Sequence, residues 1–185
     1  VAAVRLRVLP HDSLPKKGPG FASNGNFVLS EFTATLGLEK AKLALANAFA
    51  DHEQPNYPVV ASIDGDRKTG WAINVGKGSK AKLNAPHEAT FVFDRAVAPG
   101  GKTFEFKLSH DINEDYLIGR FSLEFSAVAP SAPAEQQDRL LAALRLPEAK
   151  RSDEQKDLVR DAFERAEPRE RPALRILGHA EPRRI

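Results

Sequence analysis

Five positions near residue 120 constrain this chain more than any other stretch: Phe121, Leu123 and Phe125 alternate with Ser122 and Glu124. Strict apolar–polar alternation places every second side chain on the same side of an extended backbone, which predicts a half-buried strand. The pattern recurs with Phe91 and Phe93 in residues 90–97, and with Phe104 and Phe106 in residues 103–108. Runs at 4–9, 26–36 and 43–50 are also rich in strand-forming residues. Clusters of Gly, Pro, Asn and Asp separate them, including a long loop at 10–25. Ala98-Pro99-Gly100-Gly101 has the composition of a hairpin connection between two of the phenylalanine runs. Of 11 Phe, two Tyr and one Trp, only Phe163 lies beyond residue 127. No strong helical period interrupts this first part, so the expected class is all-β, an antiparallel two-sheet sandwich over residues 1–127. Phe91, Phe93, Phe104, Phe106, Phe121 and Phe125 are expected in its core.

The character of the chain then changes. Ala129-Pro130-Ser131-Ala132-Pro133 reads as a linker over 128–133, and residues 134–185 as a short helical appendage, the start of a following region. Leu140, Leu141 and Leu144 stand at helical spacing in residues 134–146. A second helix is expected to start at Ser152, with Gln155 as its capping-box partner. Leu158, Val159, Ala162 and Phe163 form its apolar stripe, and Pro168 stops it.

Composition excludes several kinds of chemistry. Without cysteine there can be no disulfide, thiolate nucleophile, Cys–zinc site or covalently attached haem in this segment. The 27 basic and 25 acidic residues are interspersed, which argues against a nucleic-acid partner. No apolar run reaches the roughly 20 residues that a membrane-spanning helix needs. The chain has no methionine and begins within an apolar run, so it is expected to be an internal segment of a larger protein.

Catalytic motifs are missing as well. There is no G-x-S-x-G elbow, no H-E-x-x-H and no phosphate-binding P-loop. Gly76-Lys77-Gly78-Ser79-Lys80 lacks the strand–loop–helix setting of a phosphate cradle and reads as a surface loop. His11, His52, His87, His110 and His179 are scattered, none at metal-ligand spacing from another. Residues 111–115 begin like a calcium loop but put Tyr116 where that loop needs glycine, so a polar hairpin tip is expected there. No nucleophile, base and orienting group can be assembled, and no enzymatic activity is expected.

The informative stretch is residues 61–71, Ala-Ser-Ile-Asp-Gly-Asp-Arg-Lys-Thr-Gly-Trp. Asp64 and Gly65 make a turn, and Asp66 and Thr69 supply further oxygens. Carboxylate, hydroxyl and carbonyl oxygens on one tight loop suit a hard cation such as calcium. An Asp-Gly turn capped by its own side chains accounts for the same composition.

The spacing A-x-x-D-G-x-x-x-T-x-W resembles the signature of the galactose-binding-like β-sandwich family, also called discoidin or coagulation-factor type C. The preceding run, residues 47–58, is similar to the small-residue strand and ligand-side loop found before that signature. The resemblance implies a jelly-roll sandwich and a structural calcium ion held at Ala61, Asp64, Asp66 and Thr69. The family completes this set with a glutamate on the closing strand. Ser30-Glu31-Phe32 matches that context but precedes the loop, so either the strand order is permuted or the first strands belong to a preceding domain copy.

A second resemblance covers most of the chain. The segments at 4–10, 13–15, 18–20, 24–32, 70–73, 118–121 and 150–155 occur in this order, and together they resemble a segment of the large exported cytochrome-c-containing proteins typical of planctomycetes. It implies an exported location, periplasmic or at the cell surface, with neighbouring domains of the same polypeptide as partners.

Two functions follow as expectations. One is a non-catalytic carbohydrate-binding accessory module taking a polysaccharide or glycan at His52, Asn56 and Tyr57, in the loop where the resemblance puts the ligand. Tyr57 covering the sandwich edge beside a solvated His52 also accounts for these residues. Trp71 is expected in the core. The alternative is a structural or interaction domain that positions its neighbours and holds no small ligand.

Overall fold

A computed structural model describes residues 1–74, 82–130 and 134–166. Among the described residues nine strands order the first part: β1 (Ala3–Val8), β2 (Val28–Leu29), β3 (Glu31–Leu36), β4 (Ala41–Leu43), β5 (Leu45–Ala50), β6 (Trp71–Ala72), β7 (His87–Phe93), β8 (Phe104–Ser109) and β9 (Phe121–Ser126). They form three antiparallel sheets, a four-stranded one in the order β5-β7-β1-β9, a three-stranded one in the order β4-β3-β8, and the pair β2-β6. Two helices follow, α1 (Ala134–Leu144) and α2 (Asp153–Ala166).

β1 shows how alternation becomes a layered structure. It lies between β7 and β9, with Leu6 opposite both Ala89 and Leu123. Val4, Leu6 and Val8 are fully buried on one face. Arg5 and Arg7 line the other face, where they approach Glu88 and Glu124 at 3.4–3.9 Å. Such half-exposed pairs set register more than they add stability. The buried face meets the three-stranded sheet through Phe32 and Phe91, whose rings stack with centroids 4.0 Å apart. Trp71 and Phe27 extend the same core in an edge-on pair at 5.0 Å. Full burial of side chains this size stabilises the fold by about 1.5–3 kcal/mol each.

The N-terminal strands belong to this same structure, since β1 is hydrogen-bonded between strands from the other end of the first part. The long loop at 10–25 is tied down at Gly20, which bridges to Ile118. A side chain at Gly20 would put its Cβ 1.9 Å from the Asn26 carbonyl oxygen, so only glycine fits that approach.

Several sequence expectations need correction. The run at 26–36 is broken into β2 and β3, which pair in different sheets, while the run at 43–50 forms the single strand β5 from Leu45 on, with Leu43 ending β4 in another sheet. Residues 98–101 do not close a hairpin, because β7 and β8 lie in different sheets. For the same reason residues 111–115 cross between sheets instead of forming a hairpin tip. Phe91 and Phe93 are buried, and Phe104 and Phe106 only partly so. Phe121 and Phe125 remain 47% and 56% exposed. They face the same side as Val8 and Val4, but β9 is an edge strand. The Phe104 and Phe106 rings reach Phe125 at 6.5 and 5.7 Å.

The chain divides into two compact units, Val1–Gln136 and a second from Gln137 onward, so the boundary falls inside the first turn of α1. In the second unit Ser152 caps α2 as expected. The Gln155 N–H donates to Ser152 Oγ at 3.2 Å, and the Ser152 N–H donates to Gln155 Oε1 at 3.0 Å. Arg151 Nε donates to the carbonyls of Ala143 and Leu146, satisfying the open C-terminal end of α1. Leu141, Leu144 and Phe163 are exposed. Pro168 and His179, and the loop at 76–80, lie outside the described residues. Among the described residues no helix is long and apolar enough to cross a membrane.

Candidate functional site

The loop at 61–69 follows a 3-10 turn, Val59–Ser62, and leads directly into Trp71 of β6. Its side chains fold back on its own backbone. Asp64 Oδ1 accepts from the Asp66 N–H at 2.7 Å, and Asp66 Oδ1 accepts from the Lys68 N–H at 2.9 Å. Gly65, at φ 87°, takes the left-handed conformation that the turn needs. These are Asx turns, so the capped-turn reading of the loop is realised.

More is assembled here than a turn. Thr69 Oγ1 lies 2.8 Å from Asp64 Oδ2, 2.8 Å from the Asp66 carbonyl oxygen and 3.1 Å from the Ala61 carbonyl oxygen. A hydroxyl has one proton to donate, yet three acceptors surround it. Glu31, at the start of β3, reaches the loop from outside, and its Oε1 accepts the Gly65 N–H at 2.8 Å. Ala61, Asp64, Asp66, Thr69 and Glu31, the five residues expected to hold a cation, therefore meet in one place. Asp66 contributes its carbonyl toward Thr69, while its carboxylate caps Lys68.

The electrostatics are those of crowded oxygens. Burial raises the Glu31 carboxyl above its ordinary value, opposed by the Gly65 hydrogen bond and reinforced by Asp64, Asp111 and Asp66. Arg67 makes a two-pronged ion pair with Asp111, whose carboxyl it holds below the ordinary value. Among the described residues no group of three or more His, Cys, Asp or Glu side chains could hold a metal ion. The converging donors are instead one carboxylate oxygen, one hydroxyl and two carbonyls. These oxygens are gathered around the Thr69 hydroxyl, while the Glu31 carboxylate is engaged with the Gly65 N–H.

The loop carrying His52, Asn56 and Tyr57 is tied to the 3-10 turn that precedes this one, because Glu53 Oε1 accepts the Val59 N–H at 2.8 Å. Asn56 is exposed with φ 66°, in a turn closed by the bridge between Gln54 and Tyr57. Tyr57 is half-buried. His52 is not solvated as a free surface histidine would be. Its carbonyl accepts from Trp71 Nε1 at 2.9 Å, and its ring lies 5.5 Å from that of His87. Burial first, and His87 second, lower its pKa below the ordinary value.

The residues that hold this loop carry no signature in the sequence. Buried Asn26 donates from Nδ2 to Gln54 Oε1 at 3.2 Å and accepts the Ile73 N–H at 3.1 Å. Asp51 Oδ2 lies 3.0 Å from His87 Nδ1, and Asp51 Oδ1 accepts the Glu88 N–H at 2.9 Å. The signal available for that pair is strand register: β5 and β7 bring positions 36 apart together.

No protein-family model matches the chain, and neither a curated protein sequence nor a solved structure does.

Proposed function

We propose that the chain is a non-catalytic, carbohydrate-binding-like accessory module of a larger exported protein. In this reading its first unit is a galactose-binding-like jelly-roll sandwich, its 61–69 loop is held by a structural calcium ion, and its 51–57 loop meets a glycan. The observation that carries the reading is the closure of the Asp64 loop by Glu31. That two segments far apart in the chain meet there supports the oxygen set that the resemblance implied. Ala61, Asp64, Asp66, Thr69 and Glu31 would hold the ion, whose role is to fix the loop and not to take part in a reaction. The loop at 51–57 offers an exposed turn bearing Asn56, beside the half-buried ring of Tyr57. An aromatic ring and an amide carried on one turn suit the mixed apolar and hydroxyl surface of a sugar.

The test is a glycan array of plant and algal polysaccharides probed with wild type and with Asn56→Ala and Tyr57→Ala. Retention of a defined polysaccharide by wild type and its loss in both variants is expected. A blank array, or retention unaffected by both substitutions, would contradict the glycan reading.

A second reading, an interaction domain that positions neighbouring domains, is favoured by the exposed Phe121 and Phe125 on edge strand β9. Apolar side chains left open on an edge strand are a common mark of a surface used for contact. It predicts no sugar retention and a β9 face that becomes protected in the full-length protein.

A further inference from the structure

His87 opens β7 with only 4% of its surface exposed, and both of its ring nitrogens face acceptors. Nδ1 is 3.0 Å from Asp51 Oδ2, and Nε2 is 2.9 Å from the carbonyl oxygen of Lys82. A carbonyl oxygen can only accept, and so can an ionised carboxylate. A neutral imidazole carries one N–H and can satisfy only one of them, whereas the imidazolium satisfies both.

We propose that His87 is a proton-dependent tie between Asp51, at the root of the 51–57 loop, and the turn at Lys82. With the second proton in place, the ring bridges the two segments. When that proton leaves, the N–H that stays with Asp51 turns the bare lone pair of Nε2 toward the Lys82 carbonyl, and that side of the tie opens. Lys82 also accepts the Ala85 N–H at 3.2 Å, so the turn before β7 is the part that loosens.

The groups around the ring define the pH range. Asp51 and His52 face it from the connection after β5, and the Lys82 carbonyl from the segment before β7. Val8 is its partner position on β1 and brings no charge. Glu88, next in β7, is engaged instead with Arg5 and Arg7. Burial opposes protonation of His87, but the bonds to Asp51 and Lys82 outweigh it, and its pKa is raised above the ordinary histidine value. A raised folded pKa gives stability that is fully present below the unfolded value and is lost as pH rises through the folded value. His52 is shifted the opposite way, so in acid a second imidazolium forms beside the first. The tie is strongest between the lowered pKa of His52 and the raised pKa of His87.

That the tie regulates ligand binding rests on the glycan reading above; the tie itself needs no ligand. The experiment is a nitrogen-detected NMR titration of the histidine rings in the full chain, with amide hydrogen exchange at Glu88 and Ala85 after correction for intrinsic exchange. His87 is expected to titrate above the ordinary histidine value, holding protons on both nitrogens below its own midpoint, and the Ala85 amide to lose protection as His87 titrates. Asp51→Asn is the decisive variant. Asparagine can accept from Glu88 and donate to Nδ1, leaving Nε2–H for Lys82, so a neutral ring makes every bond. The variant should lower the His87 pKa and remove the pH dependence of Ala85 protection. A His87 midpoint at or below the ordinary histidine value, or protection that does not follow its titration, would overturn the proposal. Should Asp51→Asn not fold, the wild-type titration alone decides. Because no sugar is present, this failure is distinct from a blank glycan array.

Discussion

Glu31 and Gly65 are 34 positions apart in the chain, yet the Gly65 amide donates to the Glu31 carboxylate at 2.8 Å. That bond joins β3 to the tip of the 61–69 loop and places a third carboxylate beside Asp64 and Asp66. The Glu31 carboxyl is raised, so its charged form is disfavoured in the folded state without a cation. For a carboxylate shifted in this direction the penalty is absent below the ordinary glutamate value and fully present above the raised folded value.

Glu31→Gln follows from this directly. Glutamine keeps an oxygen for the Gly65 N–H but removes the charge. In chelator near neutral pH the variant should melt no lower than wild type, and in calcium it should gain less. Melting curves under both conditions check it. A variant that melts lower in chelator yet gains as much as wild type in calcium would contradict the assignment of Glu31.

Trp71 joins the core to the candidate ligand loop, fully buried against Phe27 while its Nε1 holds the His52 carbonyl. Trp71→Ala should destabilise the first unit by about 3–5 kcal/mol, the usual range for a large aromatic removed from a core. Trp71→Phe keeps much of the packing and loses the hydrogen bond, at about 1 kcal/mol plus the cost of the space it leaves. Denaturant unfolding measures both, and equal losses would show that the packing kept by phenylalanine contributes nothing.

Phe121→Ser and Phe125→Ser should each change stability by much less than Phe91→Ala, whose loss is expected at about 3–5 kcal/mol. The exposed rings already have water as a neighbour. Losses as large as that at Phe91 would mean that these two rings are covered in solution.

These phenylalanines also mark how far the sequence could be read. Period-two spacing correctly assigned Phe91, Phe93, Phe121 and Phe125 to one side of their strands. It carries no information on what covers that side, so the overhang of β9 was hidden. Nor does alternation name a partner strand, which is why β7 and β8 looked like a hairpin. Trp71 in the core and the Ser152–Gln155 cap were legible because local chemistry determines them. The oxygen set of the 61–69 loop was legible as composition, and its closure by Glu31 came only from resemblance. The Asp51–His87 pair depends on register between β5 and β7, and single residues do not announce register.

Ser152→Ala should remove one half of the reciprocal cap on α2 and cost about 1 kcal/mol of helix stability. Helical circular dichroism during thermal unfolding measures this, and no change would mean that the cap contributes nothing.

The central claim, that the 61–69 loop is a calcium-holding structure, meets its most direct test in thermal unfolding. Wild type and Asp64→Ala are compared in millimolar calcium and in chelator. An ion that binds only the folded chain stabilises it by about 2.7 kcal/mol at a hundredfold excess over Kd. For a domain of this size that is a rise in midpoint on the order of 5–10 °C. The account predicts this rise for wild type and none for Asp64→Ala, with both proteins folded in chelator. A wild-type midpoint that does not move at millimolar calcium would contradict it and leave the loop a capped turn.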